Sequence, residues 1–165
     1  MTIDARVAPI LDKLMRLLEE RFGGDLVSIG LYGSVARGTA GPDSDVDLLV
    51  VCRNIPESSL ERTRALYPLL QSLQPDLERT HGETGWFPYL SVQMRTPEEA
   101  SRTSRTYFDM VEEAVLLRDR DGFFRGVLDR LAARMKELGS RKIRFGDGYY
   151  WDLKPDLVWG EVFEV

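Results

Sequence analysis

The chain of 165 residues contains few of the residues that form disulfides or zinc sites. It contains one cysteine, Cys52, so an intrachain disulfide is excluded and a reducing compartment is expected. Cys52 ends an apolar run and is interpreted as a buried structural thiol. The single histidine, His81, has no cysteine or second histidine nearby, which argues against a zinc site.

Long apolar runs are also scarce, and the 22 basic residues are outnumbered by 27 acidic ones. No apolar run approaches the roughly 20 residues that a membrane-spanning helix needs, and residues 1–13 lack the apolar core of a signal peptide. These features predict a cytoplasmic protein with no membrane association. The formal net charge of −5 disfavours binding of a nucleic-acid template through charge alone. With 43% apolar residues, the chain can form its own core.

The residue pattern predicts an α/β (α+β) fold with a mixed β-sheet flanked by helices. Twelve residues separate the first two predicted strands, so their pairing is left open. A capping box at Thr96 and Glu99 predicts a helix start at Pro97. The segment 75–86 is loop-like. We predict helices over 4–22, 57–73, 97 to about 112 and 121–138, strands over 26–32, 45–52, 89–95 and 114–117, and a C-terminal hairpin over 142–145 and 149–153, turning at Gly146-Asp147-Gly148.

These elements suggest two parts that pack as one unit. Residues 1–95 would form a core, and residues 96–165 would form a helical and hairpin extension on it. The acidic residues Asp109, Glu112 and Glu113 are interpreted as the solvated face of a surface helix in that extension.

A pair of aspartates marks the start of the second predicted strand. Asp45 and Asp47 are two residues apart, so their side chains should point to the same face of the strand. Two adjacent carboxylates repel each other unless a cation neutralises them. Mg²⁺ is the expected cation because it prefers a few carboxylates together with phosphate oxygens and water.

Gly33 and Ser34 close the neighbouring predicted strand. Glycine lets the backbone approach a ligand closely, and a helical turn that follows a strand offers free N–H groups to a phosphate. The Ser34 hydroxyl adds a donor. The two segments together predict a metal site and a phosphate site on adjacent strand ends.

The motif that runs from Gly33-Ser34 to Asp45-Val46-Asp47 resembles the signature of the DNA polymerase β-like nucleotidyltransferase superfamily. Its flanks, Ala36-Arg37-Gly38 and Ser44-Asp45, resemble the minimal nucleotidyltransferase branch, in which many members are antitoxins paired with a HEPN-domain protein. This resemblance implies that Gly33, Ser34, Arg37 and Ser44 contact a nucleoside triphosphate, with ATP the first candidate. It also implies that Asp45 and Asp47 hold Mg²⁺ and carry catalysis. A homodimer is left open.

Active members of that superfamily usually have a third carboxylate on a following strand. The strand predicted at 89–95 carries Ser91 and Gln93 instead, and neither is a good Mg²⁺ ligand or general base. Loop carboxylates at Asp76, Glu78 or Glu83 are weaker candidates. Three functions therefore stay open: transfer of a nucleoside monophosphate to a protein or small-molecule hydroxyl, a catalytically degenerate nucleotide-binding or antitoxin module, and a scaffold with a relic site.

Overall fold

The computed structural model describes residues 3–146 and 148–165, which alternate between helices and strands. The helices are α1 (Ala8–Phe22), α2 (Gly33–Arg37), α3 (Ser59–Ser72), α4 (Gln74–Thr84), α5 (Pro97–Ala100), α6 (Arg105–Glu113) and α7 (Phe123–Glu137). The strands are β1 (Leu26–Tyr32), β2 (Val46–Cys52), β3 (Leu90–Arg95), β4 (Val115–Asp119), β5 (Arg141–Phe145) and β6 (Gly148–Asp152). The first strand is predicted correctly to the residue.

Strands β1 to β4 form one mixed sheet in the order β3-β2-β1-β4, which confirms the predicted mixed α/β fold. Strand β1 runs antiparallel to β2 and to β4, whereas β2 runs parallel to β3. The antiparallel step explains how the short link through α2 suffices between β1 and β2, since a parallel connection usually needs a longer crossover. The parallel step from β2 to β3 has such a crossover, formed by α3 and α4.

Helices cover both faces of this sheet, which gives three layers. On one face, Leu48 and Val50 belong to a buried cluster that includes residues of α1, α3 and α4. On the other face, Leu49 and Val51 pack in a cluster with residues of α6 and α7. Because both faces are covered, β2 is apolar almost throughout. Cys52 ends it as a buried free thiol, as predicted, and burial raises its pKa to about 11.

The segment 75–86, predicted to be loop-like, is mostly helical, so that prediction was wrong. Helix α4 begins at Gln74 with Pro75 in its first turn, where the missing N–H of proline has no cost. Only Leu77 and Thr80 of this helix are buried. A helix is recognised in a sequence by apolar residues that recur every three or four positions. With only two buried positions, α4 does not show this pattern.

The helix predicted from Pro97 to about residue 112 is divided in two. The capping box at its start is confirmed, with the Thr96 side chain accepting from the Glu99 N–H and the Glu99 side chain accepting from the Thr96 N–H. Helix α5 ends after Ala100, and α6 begins at Arg105. Residues 101–104 are rich in serine and threonine, which compete with helical hydrogen bonds. At the end of α5 the Pro97 carbonyl accepts from the Ser101 N–H at 2.9 Å and also from the Ser101 hydroxyl at 2.8 Å.

The predicted C-terminal hairpin is present as the antiparallel pair β5–β6. Of its predicted turn, Asp147 lies outside the described residues. One face of the hairpin contacts α6, where the Trp151 indole N–H donates to Asp109 at 3.0 Å and Lys142 donates to Glu112 at 3.0 Å. No helix among the described residues is long and apolar enough to cross a membrane.

The division of the chain at residue 95 stays a prediction. The sheet itself takes its edge strand β4 from beyond that position, since Val115 pairs with Leu31 and Leu116 pairs with Gly30. Residues 96–165 therefore contribute to the same sheet that carries Asp47.

Candidate active site

The turn after β1 is built around Gly33. This residue has a φ of +74°, which favours glycine. A Cβ placed on Gly33 would lie 2.5 Å from an Asp47 carboxylate oxygen, closer than any real Cβ contact. The sheet register explains this closeness, because Tyr32 of β1 pairs directly with Asp47 of β2. The predicted adjacency of the Gly33-Ser34 turn and the aspartate strand is therefore a direct contact.

The two aspartates differ in environment. Asp45 is exposed just before β2, while Asp47 lies within β2 and is partly buried. Burial raises the pKa of Asp47, and the charge of Asp45 raises it further. The nearby Ser91 hydroxyl and the positive charge of Arg37 oppose this rise in pKa. A partly buried carboxylate beside a second carboxylate is a place where a cation is stabilised.

The position beside Asp47 on β3 is occupied by a serine. Asp47 pairs with Ser91 in the parallel β2–β3 register, so this is where a third carboxylate would have to stand. The alternatives on α4 have other surroundings. Asp76 binds Lys13 of α1 at 2.7 Å, Glu78 accepts from Gln74, and Glu83 lines a cavity with Arg6 and Ile10. Across residues 3–146 and 148–165, no group of three or more histidines, cysteines or acidic side chains is arranged to hold a metal ion.

A carboxylate that the sequence analysis assigned to a solvated face lies inside the site. Glu113, the last residue of α6, has only 5% of its side chain exposed. One oxygen accepts from the Gly33 N–H at 2.9 Å, and the other accepts from the Arg37 guanidinium at 2.7 Å. The surface interpretation of Glu113 was wrong. The available signal was its spacing of three residues from Met110 and six from Tyr107, which are buried on the same face of α6.

Arg37 and Ser34 present polar groups on the same turn. The Arg37 side chain is 37% exposed, and its pair with Glu113 raises its pKa, so it stays charged. Only one guanidinium nitrogen is used by Glu113, which leaves donors for an anion. Ser34 is half-buried, and within the described part of the chain its hydroxyl has no hydrogen-bond partner. These groups could therefore donate to a phosphate.

Ser44 shapes the loop that leads to Asp45. Its hydroxyl accepts from the Gly41 N–H at 2.9 Å, and its carbonyl accepts from the Trp86 indole at 2.7 Å. Trp86 is fully buried, so it anchors the end of this loop to the core. The structure thus brings Ser44 next to the aspartate pair, with its hydroxyl already used as an acceptor within the loop.

Comparisons with known proteins identify several similarities. A family model described as "Nucleotidyltransferase domain" matches residues 11–117. A Methanocaldococcus jannaschii protein named "Putative protein adenylyltransferase MJ1305" is 49% identical over 57 residues, which are 34% of this chain and 39% of that protein. This chain thus matches about two fifths of the length of its curated relative.

Two solved structures are also similar. The crystal structure of a toxin–antitoxin with AMP-PNP has a TM-score of 0.49 and 17% identity, covering 78% of this chain and 91% of that one. A Shewanella oneidensis structure, a tri-AMPylated HEPN toxin in complex with MNT antitoxin, has a TM-score of 0.39 and 14% identity, covering 78% and 88%.

Proposed function

Because this chain belongs to the nucleotidyltransferase domain family, we propose that it binds a nucleoside triphosphate with Mg²⁺ and transfers the nucleoside monophosphate to a hydroxyl. ATP is the proposed nucleotide, and the acceptor is a protein or a small molecule. The observation that carries this proposal is the contact between the Gly33-Ser34 turn and the carboxylate of Asp47, with Asp45 beside it.

The proposed metal fits the side chains at this position. Asp45 and Asp47 supply two carboxylates, and Ser91 adds a neutral oxygen opposite Asp47. Mg²⁺ is commonly bound by one or two carboxylates and completes its shell with phosphate oxygens and water. When bound, it would neutralise charge on the phosphates. The raised pKa of Asp47 is lowered by a bound cation, so affinity for the metal should fall in mild acid.

The remaining residues of the site would position the triphosphate. The Ser34 hydroxyl and the free donors of Arg37 would hold phosphate oxygens, and the absence of a side chain at Gly33 would allow the phosphates to approach the turn. Ser44 would keep the 39–44 loop in the conformation that presents Asp45. The acceptor oxygen would form a bond to the α-phosphorus as the bond to pyrophosphate breaks, in line.

A second function is favoured by the serine on β3. Ser91 stands beside Asp47 on β3, so that strand offers no carboxylate to take the proton of the attacking hydroxyl. The Glu113 carboxylate already accepts from Gly33 and Arg37. The alternative is a catalytically degenerate nucleotide-binding or antitoxin module that partners a HEPN-type protein. This alternative keeps the nucleotide contacts of Ser34 and Arg37 and removes only the transfer step.

Calorimetric titration of ATP with and without Mg²⁺ tests the common part of both proposals. We expect binding that requires Mg²⁺ and disappears in the double variant Asp45→Ala, Asp47→Ala. Asp43→Ala is the matched control, since Asp43 is an exposed carboxylate in the preceding loop. Absence of binding to any of the four nucleoside triphosphates would contradict both.

Label transfer from ATP labelled at the α-phosphate separates the two functions. Incorporation into the chain itself, or into a co-purified HEPN-type protein, supports transferase activity. Mg²⁺-dependent binding without any incorporation favours the catalytically degenerate module.

A further inference from the structure

We propose that Glu113 is a positioning residue of this site, which fixes the Gly33 turn with one carboxylate oxygen and orients Arg37 toward the nucleotide with the other. The part that concerns the nucleotide depends on the proposed function. The part that concerns the turn depends on the contacts alone.

Burying the Glu113 carboxylate at this position costs free energy, for two reasons. A carboxylate that is 95% withdrawn from solvent loses its hydration and must be compensated by partners. Glu113 is also the last residue of α6, where the helix dipole disfavours negative charge. A neutral side chain at this position would avoid both costs. The hydrogen bonds of Glu113 to Gly33 and Arg37 are what compensate them.

Both partners of Glu113 belong to the motif turn. The Gly33 N–H and the Arg37 guanidinium come from residues 80 and 76 positions earlier in the chain. The bond to Gly33 holds the backbone whose Cα faces the Asp47 carboxylate. Gly33 therefore lies between two carboxylates, one of which binds its N–H while the other occupies the space a side chain would need.

The second oxygen of Glu113 sets the direction of Arg37. A guanidinium is planar and rigid, so fixing one nitrogen restricts where its remaining donors point. Arg37 is the last residue of the short helix α2, whose first residue, Gly33, faces the Asp47 carboxylate. An arginine that is already oriented loses less conformational entropy when it binds a phosphate. The Gly33 N–H is already used, so phosphate contacts are assigned to Ser34 and Arg37.

The test uses two substitutions at Glu113 that separate its two contacts. Glu113→Ala removes both acceptors. Glu113→Gln keeps a carbonyl oxygen for the Gly33 N–H but removes the charge that orients Arg37. The matched control is Glu112→Gln, which removes a carboxylate that is 51% exposed on the same helix and binds Lys142. Thermal melts of all variants establish that they are folded.

The first readout needs no nucleotide. Hydrogen exchange of the Gly33 amide, followed by NMR on the full chain, should be at least about tenfold faster in Glu113→Ala and close to wild type in Glu113→Gln and Glu112→Gln. Unchanged Gly33 exchange in Glu113→Ala would overturn the proposal. If the wild type binds no nucleotide while this exchange still depends on Glu113, the proposed function fails and the positioning of the turn stands.

The second readout is the Kd for ATP with Mg²⁺, measured in the wild-type and Arg37→Ala backgrounds. We expect Glu113→Gln to raise this Kd about tenfold in the wild-type background and to leave it unchanged when Arg37 is alanine. An equal loss in both backgrounds would show a general structural effect and would overturn the role through Arg37. No loss in either background would overturn it as well.

Discussion

Position 33 can accept only glycine without strain, both because of its backbone conformation and because of its contact with Asp47. Gly33 has a left-handed backbone conformation and no room for a Cβ against Asp47. Gly38, five residues later at the end of α2, has nearly the same φ of +73°, but nothing lies within 4 Å of where its Cβ would be. The two glycines therefore separate the cost of the backbone conformation from the cost of the clash with the carboxylate.

The variants Gly33→Ala and Gly38→Ala should differ in stability. Gly38→Ala should lower the free energy of unfolding by about 1 kcal/mol, the cost of a left-handed alanine. Gly33→Ala should cost roughly 2 kcal/mol more, because the Asp47 carboxylate must also move. Urea unfolding of both variants measures the difference. Equal losses would show that the turn adapts without disturbing Asp47.

At the scale of elements, one ion pair joins parts that the sequence separates widely. Arg62 of α3 donates two hydrogen bonds to the Glu99 carboxylate of α5, at 2.7 and 2.8 Å. It also donates to the Met94 carbonyl on β3. The pairing with Arg62 lowers the pKa of Glu99 to about 2. This ion pair thus connects α3, in the crossover between β2 and β3, to α5, the helix that precedes α6 in the chain.

The pair makes stability depend on pH in a defined window. Since the pKa of Glu99 is lower in the folded than in the unfolded state, its contribution is fully present above about pH 4.5 and is lost as pH falls toward about 2. Glu99 is 40% exposed, so solvent screening limits the contribution to about 1 kcal/mol. Glu99→Gln should therefore destabilise the chain at pH 7 and have little effect near pH 2.

Urea unfolding at the two pH values measures this dependence. The control is Glu61→Gln, which changes an exposed carboxylate on α3 and should have a small effect at both. A loss for Glu99→Gln that is the same at pH 7 and near pH 2 would contradict the assignment to the ion pair.

For the whole molecule, the question is which parts of the chain the sheet needs. The face of the sheet that carries Leu49 and Val51 is covered by α6 and α7, and β4 completes the edge beside β1. All three elements follow residue 95. By contrast, the β5–β6 hairpin is largely exposed and contacts α6 through Lys142 and Trp151.

Two truncated chains should therefore behave differently. A chain of residues 1–95 should not unfold cooperatively, because one apolar face of the sheet would be bare. A chain of residues 1–139 should keep a cooperative transition and lose about 2 kcal/mol of stability with the hairpin contacts. Thermal melts followed by circular dichroism measure both. A cooperative transition in the 1–95 chain would show that this part folds alone.

Local sequence features were sufficient for most of the secondary structure. The apolar runs of β1 and β2 and the capping box at Thr96 gave correct elements because their signals lie in neighbouring residues. Helix α4 was missed because its two buried positions form no stripe. The longer helix predicted from Pro97 was wrong because serine and threonine at 101–104, which are weak helix formers, interrupt it between Ala100 and Arg105.

The sequence by itself determined the family motif, the spacing of Asp45 and Asp47, and the absence of a carboxylate on β3, because these depend on residue identity and strand period alone. Only the tertiary structure decided that β1 and β2 are antiparallel, and thus that Gly33 touches Asp47. It alone buried Glu113 against a turn 80 residues away. Contacts of this kind depend on how helices pack on the sheet. The residues around a buried charge in the sequence do not indicate which distant backbone group will form a hydrogen bond with it.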